Sequence, residues 1–314
     1  MSINMNILID QMIMFFIMLG CGFVFSKVNL ITKEVLQAIS KIIVNLACPM
    51  MVVSIFASAA EMGNIGEVIV QLAPLQSFVY VILTILGWGM ATLLRLRGDK
   101  RKIVVAQCMF SNIGYFGLPL AQELFDPLGQ LAFSFWIIIE NLFLWTEGVF
   151  FLSGSNGQQK FSVKFFVKKM INPISVAVVV GILFMLIGIP SDHLMLRSFS
   201  CIGDCAKPLA LVYIGGTIAH MEMKSIGKAW PVIFVIGVKM MIVPLIAFRL
   251  LALVDVQTAI KDVIVFALTL PAFASMPAVA ESMGSTETEY ASQGVFIITL
   301  ASLVTIPLVM SLCR

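Results

Sequence analysis

The sequence predicts an all-α polytopic membrane protein, with about ten transmembrane helices arranged as two inverted repeats of five. Three observations predict it. The 314 residues are 60% hydrophobic and 12% charged, with a mean hydropathy of +1.03, whereas a soluble chain carries about 25% charged residues. Apolar runs of bilayer-spanning length, about 20 residues each, follow one another nearly end to end. Two helix-breaking clusters, "SNIGYFGLPLA" (111–121) and "FASMPAVAES" (273–282), sit inside such runs at corresponding places in the two halves.

The spans fall near 6–25, 34–57, 68–95, 103–125, 130–153, 172–190, 196–219, 230–253, 262–284 and 289–312. No basic region precedes the first, so a cleaved signal peptide is not expected. The longest connection, "SGSNGQQKFSVKFFVKKMI" (153–171), mixes Phe with Lys in its second half, which suits a short interfacial helix. No segment between spans is large enough to fold alone. Basic residues gather in alternate loops: Lys27 and Lys33; Arg95, Arg97, Lys100, Arg101 and Lys102; Lys160, Lys164, Lys168 and Lys169; Lys224 and Lys228. Glu61, Glu67, Glu123 and Asp126 occupy the intervening ones, and Arg197 and Lys261 are the exceptions. The positive-inside rule puts the basic set in the cytoplasm and both termini outside. The loop after span nine, with Glu281, Glu287 and Glu289, is then an acidic loop on the inside, which the rule tolerates because acids weigh little in it.

The halves repeat weakly. Gly22 to Pro49 has the separation of Gly181 to Pro208; Phe25 and Ala47 match Phe184 and Ala206, and Pro119 matches Pro277 at one residue less. Five spans per half invert the second copy, an arrangement common among proteins whose sites lie at the midplane where interrupted helices meet. The expected units are 1–153, a cytoplasmic linker at 154–171, and 172–314. Gly114, Gly117 and Pro119 are expected to break span four; Ser275, Met276 and Pro277 are expected to break span nine. Unwound backbone survives at membrane depth only against protein or a water-filled cavity, and half-helix N-termini favour anionic groups.

Ionisable groups inside spans are costly and point to function. Span five carries Glu140 and Glu147, seven apart and so close to one helix face, with Asn141 between them. Glu140 reads equally as a proton carrier or as a hydrogen-bonded structural acid; Glu147, nearer the span's end, reads as structural. Asn112 and Asn141 offer neutral amide donors to a carboxylate. Asp204 and Lys207, three apart in span seven, read first as a pair neutralising each other and second as a gate. Asn45 occupies the repeat position of Asp204 and suggests a polar lining there. Lys239, mid-span in the eighth helix, balances Glu140 or attracts an anion. Gln107 and Glu281 flank the breaks more loosely. The six cysteines read as small packing residues, and His193 and His220 make no metal cluster with them. No nucleophile–base set appears and no Gly-Lys-Ser/Thr follows "GYFGLPL", so neither an enzyme, nor a bound cofactor or metal, nor a nucleic-acid partner is expected.

Together "SNIGYFGLPLA", "INPISVAVVVGILFMLIGIP" and "FASMPAVAESMG" with "YASQGVFIITLASLVTIPLV" resemble the auxin efflux carrier family, over nearly the whole chain. The resemblance is to bacterial members of the malate or malonate permease kind. It implies a fold like that of bile-acid symporters and sodium/proton antiporters, with spans four and nine crossing at their prolines. It implies a scaffold from 1–60 and 172–225, dimeric through its helices, and a moving transport domain from 66–153 and 228–314. It implies a secondary transporter of small organic anions in the plasma (inner) membrane, working by alternating access and coupled to protons or sodium or to neither. The substrate would lie against Asn112, Gly114, Gly117, Pro119, Asn141, Ser275, Met276 and Pro277, with Glu140, Lys239, Asp204 and Lys207 in coupling roles. The other reading is a membrane ligand sensor or regulatory subunit of the same fold.

Overall fold

The computed structural model describes residues 5–59, 65–154, 171–190, 192–220 and 229–313. The proposed interfacial helix, its four lysines, Glu61, Lys224 and Lys228 lie outside the described residues. The regular structure among the described residues is helical, apart from a single two-residue β-bridge. They form ten rods: α1 (Met5–Lys27), α2 (Lys33–Ala59), α3 (Ile65–Leu93), α4 in two pieces (α4a Gly98–Met109, α4b Leu118–Leu124), α5 (Pro127–Leu152), α6 (Pro173–Ile187), α7 (Leu194–Ala219), α8 (Val232–Leu251), α9 in two pieces (α9a Thr258–Thr269, α9b Met276–Ser282) and α10 (Thr288–Leu312). Seven are long and apolar enough to cross a membrane. α6 is apolar but shorter, and α4 and α9 fall short because each is divided.

Local chemistry sets the helix ends. Asp126 accepts from Gly129 N–H at 2.8 Å and Pro127 opens α5. Asn172 Oδ1 accepts from Ile174 and Ser175 N–H at 3.1 and 3.0 Å and Pro173 opens α6. A side-chain cap followed by a proline, which has no N–H to orphan, is a strong helix start. Gly188, at φ +73°, closes α6 in the left-handed conformation that a glycine reaches without strain. His193 caps α7 through Nδ1, and His220, at the other end of α7, meets Ile31 O at 3.3 Å.

α1 packs along α7, while α6 and α7 pack on α2. Glycines make these approaches possible. A Cβ on Gly22 would strike the Val212 backbone, one on Gly215 the Leu19 backbone, and one on Gly203 the Met51 Cα at 2.8 Å. Small residues bring membrane helices close where lipid supplies no hydrophobic drive. A second group forms around α4 and α9: α3 packs on α4a and α5, α8 on α9a, and α9a on α5. At one end of this group Asp99 accepts from Thr286 N–H and Oγ1 at 3.0 and 3.1 Å, Gly154 N–H bonds Met283 O at 3.2 Å, and Lys102 bonds Ser153 O at 3.0 Å. These bonds tie the ends of α4, α5, α9 and α10 together.

Three cysteines are buried as packing residues (Cys48, Cys108, Cys313), but Cys21, Cys201 and Cys205 are exposed, which corrects the reading of all six as packing. No group of His, Cys, Asp and Glu able to hold a metal exists among the described residues.

Candidate functional site at the crossing of the broken helices

The breaks in α4 and α9 pair with each other. Ser111 faces Ala272 in an antiparallel bridge; Asn112 N–H bonds Pro271 O at 2.7 Å and Phe273 N–H bonds Phe110 O at 3.1 Å. Each unwound segment thus completes the hydrogen bonding of the other, as backbone at membrane depth requires. The breaks lie upstream of the residues expected to cause them. Gly114 and Gly117 sit in a wide π-type turn (Ile113–Gly117), Pro119 in the first turn of α4b, and Met276 and Pro277 in the first turn of α9b; Ser275 is the cap of that helix. Proline clashes with the carbonyl four residues back, and for Pro119 the widened turn absorbs that clash. The two glycines differ in use. A Cβ on Gly117 would meet Leu270 at 2.6 Å and Phe133 at 2.7 Å, whereas one on Gly114 would meet nothing within 4 Å. Gly117 permits packing; Gly114 faces open space.

That space is a cavity of about 470 Å³. Ser111, Gly114, Tyr115, Glu140, Asn141, Asn172 and Ser275 line it among apolar neighbours. It gathers Gly114, Asn141, Ser275 and Glu140 from the expected set. Asn112, Gly117, Pro119 and Met276 are buried behind the wall, and the half-buried Pro277 does not line it either. Asn112 is 1% exposed, and neither its Nδ2 nor its Oδ1 has a partner. Asn141 Nδ2 donates to Ile137 O of its own helix at 2.9 Å.

Glu140 and Lys239 complete the crossing. Glu140 is 2% exposed; Oε1 accepts from Ser111 N–H at 2.7 Å and Oε2 from Trp136 Nε1 at 3.0 Å. Lys239, in a π-type turn of α8 (Ile236–Ile242), is wholly buried; Nζ donates to Ser111 Oγ at 2.9 Å and to Leu270 O. The carboxyl group thus satisfies a free N–H of one break and the amine a free C=O of the other. Ser111 stands between them, bonded to both. Lys239 does not line the cavity itself and stands behind Ser111, which does. Glu147, by contrast, is half-buried and accepts from Thr84 Oγ1 at 3.2 Å.

The expected Asp204–Lys207 pair does not form. Lys207 bonds Glu123 Oε1 and Gln11 Oε1, each at 2.8 Å, while Asp204 accepts from Gln122 Nε2 at 3.2 Å. Glu123 and Gln122 lie on α4b and Gln11 on α1, so both charges take partners from other helices and not from their own. Asn45 is exposed and donates to Lys41 O of its own helix at 2.8 Å. Three site residues escaped the sequence reading. Ser111 stood inside the quoted motif. Trp136, four before Glu140, shares its helix face. Tyr115 carried no signal; its hydroxyl bonds Ser40 Oγ at 2.8 Å and its ring stacks on Tyr213 at 5.1 Å.

The family model for membrane transport proteins matches residues 7–310, nearly the whole chain. The chain belongs to the auxin efflux carrier/membrane transport family. As a family member it is a polytopic helical membrane transporter, and the breaks, the cavity and the buried Glu140–Ser111–Lys239 chain lie within the matched span. No curated protein matches the sequence significantly.

Proposed function

We propose that this transporter carries small organic anions, such as the dicarboxylates malate and malonate, by alternating access at the α4–α9 crossing. The carrying observation is the cavity beside the Glu140–Ser111–Lys239 chain. Its volume, about 470 Å³, suits a small carboxylate with water. Asn141, Asn172, Ser275 and Ser111 supply neutral polar groups on its wall. Asn112, packed behind with an unpartnered amide, is a further donor once the π-type turn shifts.

The charges give a coupling logic. An anion entering beside an ionised Glu140 is repelled. One entering beside a protonated Glu140 meets the field of Lys239 alone. Proton and anion then bind together, which makes Glu140 the proton carrier of a symporter. Sodium coupling and uniport are the competing schemes.

The domain reading follows the same packing. α1, α2, α6 and α7 form the scaffold (1–60 and 172–225), dimeric across the membrane plane; the helices within 66–153 and 228–314 move as the transport domain, their ends tied through Asp99 and Gly154. Two inverted repeats account for interruptions just before Pro49 and Pro208 in the second helix of each half, and before Pro119 and Pro277 in the fourth. The basic loops support an orientation with both termini outside, and the plasma membrane is the location that goes with this reading.

The test is uptake of labelled malate and malonate into proteoliposomes, with and without an inward proton gradient. Saturable, gradient-stimulated uptake that loses its gradient dependence in Glu140→Gln supports the scheme. Uptake indifferent to the gradient removes Glu140 from coupling. No uptake of either anion by folded protein favours another substrate or the ligand-sensor reading.

A further inference from the structure

Opposite charges face each other across the two helix groups at two places, closed at one and open at the other. At the closed place Lys207 of α7 bonds Glu123 of α4b at 2.8 Å. Gln11 of α1 bonds both members, accepting from Lys207 at 2.8 Å and donating to Glu123 at 3.2 Å. Gln122 of α4b reaches Asp204 of α7 at 3.2 Å. All of these bonds except Lys207–Gln11 join the α1–α7 group to the half-helix α4b. Lys207 is 14% exposed at its side chain and Gln11 8%, while Glu123 keeps 40%, so the cluster is partly shielded from solvent.

At the open place, toward the end where α1 runs into α2, a second cavity of about 470 Å³ separates α2 and α7 from α10. Lys33 and Gln37 line it from α2, Thr217 and His220 from the end of α7, and Glu289 and Gln293 from α10. No ion pair spans it among the described residues; Glu289 is held by Gln293 Nε2 of its own helix at 2.9 Å. Lys33 on the α2 side therefore faces a carboxylate on α10 with the space between them unfilled. The charges have the same polarity as in the closed cluster, cation on one helix group and anion on the other.

We propose that these are the two alternating latches of the transporter. Lys207–Glu123 is the outer latch and holds the protein open to the cytoplasm; Lys33 and His220 with Glu289 are the inner latch, which closes when α10 moves onto α2 and α7. The inference rests on the alternating-access reading. Ion pairs bias such an equilibrium only if they differ between its two states, and here one is made while the other is apart. Release of the outer latch therefore shifts the population toward closure of the inner cavity.

The experiment reads that closure directly, without substrate. The full chain is placed in nanodiscs with exposed Cys21, Cys201 and Cys205 changed to Ser, and Thr217→Cys reports from the inner cavity. A bulky maleimide should label it readily. Glu123→Gln and Lys207→Met should each slow labelling by about fivefold or more, the shift expected from a coupling of ordinary size. The exchange Glu123→Lys with Lys207→Glu should restore the rate, and Glu289→Lys should abolish the slowing. Labelling unchanged within about twofold in both single variants, with the protein monodisperse and folded, overturns the latches. No carboxylate uptake by the unsubstituted protein, alongside the expected labelling shifts in the variants, would sink the substrate reading and leave the latches standing.

Discussion

Lys239→Met is the sharpest test of the buried crossing. The amine has no exposed surface and makes two bonds, to Ser111 Oγ at 2.9 Å and to Leu270 O. Methionine fills similar volume and removes both. Leu270 O loses its donor, and Glu140, 2% exposed, loses its opposite charge. The two charges meet through Ser111 and not in a direct ion pair, so the loss is that of leaving buried polar groups unsatisfied, roughly 1–3 kcal/mol. Glu140→Gln should cost about 1–3 kcal/mol by the same reasoning. Its Oε1 can still accept from Ser111 N–H, but an amide N–H₂ placed at Oε2 confronts the Trp136 Nε1–H donor, 3.0 Å away. In the double variant no unpaired charge is left, so the losses should overlap by about 2 kcal/mol. The assay is reversible unfolding in mixed micelles by titration with a denaturing detergent, followed by tryptophan emission; Trp136, in contact with Glu140, is one of only four tryptophans. Additive losses in the double variant, or single losses below about 1 kcal/mol, would refute the claim that the two groups jointly complete the crossing.

Gly117→Ala should destabilise the fold by about 1–3 kcal/mol, since its Cβ would meet Leu270 and Phe133 inside 2.8 Å. Gly114→Ala should leave thermal stability nearly unchanged yet weaken substrate affinity, because its methyl group enters the cavity; equal effects in a melting and a binding series would contradict the division of roles. Asn172→Ala should cost about 1 kcal/mol through loss of the cap on Ile174 and Ser175 N–H, and Asn172→Asp should keep most of it in the same unfolding assay. Asp99→Ala should speed hydrogen exchange of the Thr286 amide by about tenfold or more, corresponding to about 1.4 kcal/mol; unchanged exchange would mean that this tie does not hold the α9–α10 turn.

The backbone irregularity was legible in the sequence and its exact place was not. Prolines at 119 and 277 announce that no plain helix passes through. Yet a proline near the start of a helix is at ease, having no N–H to leave unpaired. Unwinding instead occurs where the lost bonds can be replaced. For Phe110–Asn112 the replacement is Pro271 and Phe273, some 160 residues along the chain, and no local pattern encodes that. The same separation explains the span count. Hydropathy sees one apolar run through α4a and α4b, while the folded chain divides it into two helices too short to cross alone.

The electrostatics were half legible for a related reason. A charge in an apolar run is conspicuous, so Glu140 and Lys239 stood out as single residues. Their linkage passes through Ser111, a residue with no conspicuous chemistry whose backbone and hydroxyl face opposite ways. The mistaken Asp204–Lys207 pair is the complementary case. Helical spacing made it plausible, but a pair three apart on a helix gains only a few tenths of a kcal/mol. That is too little to hold Lys207 against Glu123 and Gln11, which together offer it two acceptors at 2.8 Å in a part-buried site. Local spacing therefore identifies which charges this membrane keeps, while the tertiary fold decides which partner each one takes. Where that partner lies on the other helix group, the bond opposes sliding between the groups, and so the choice of partner for Lys207 bears on transport as much as on stability.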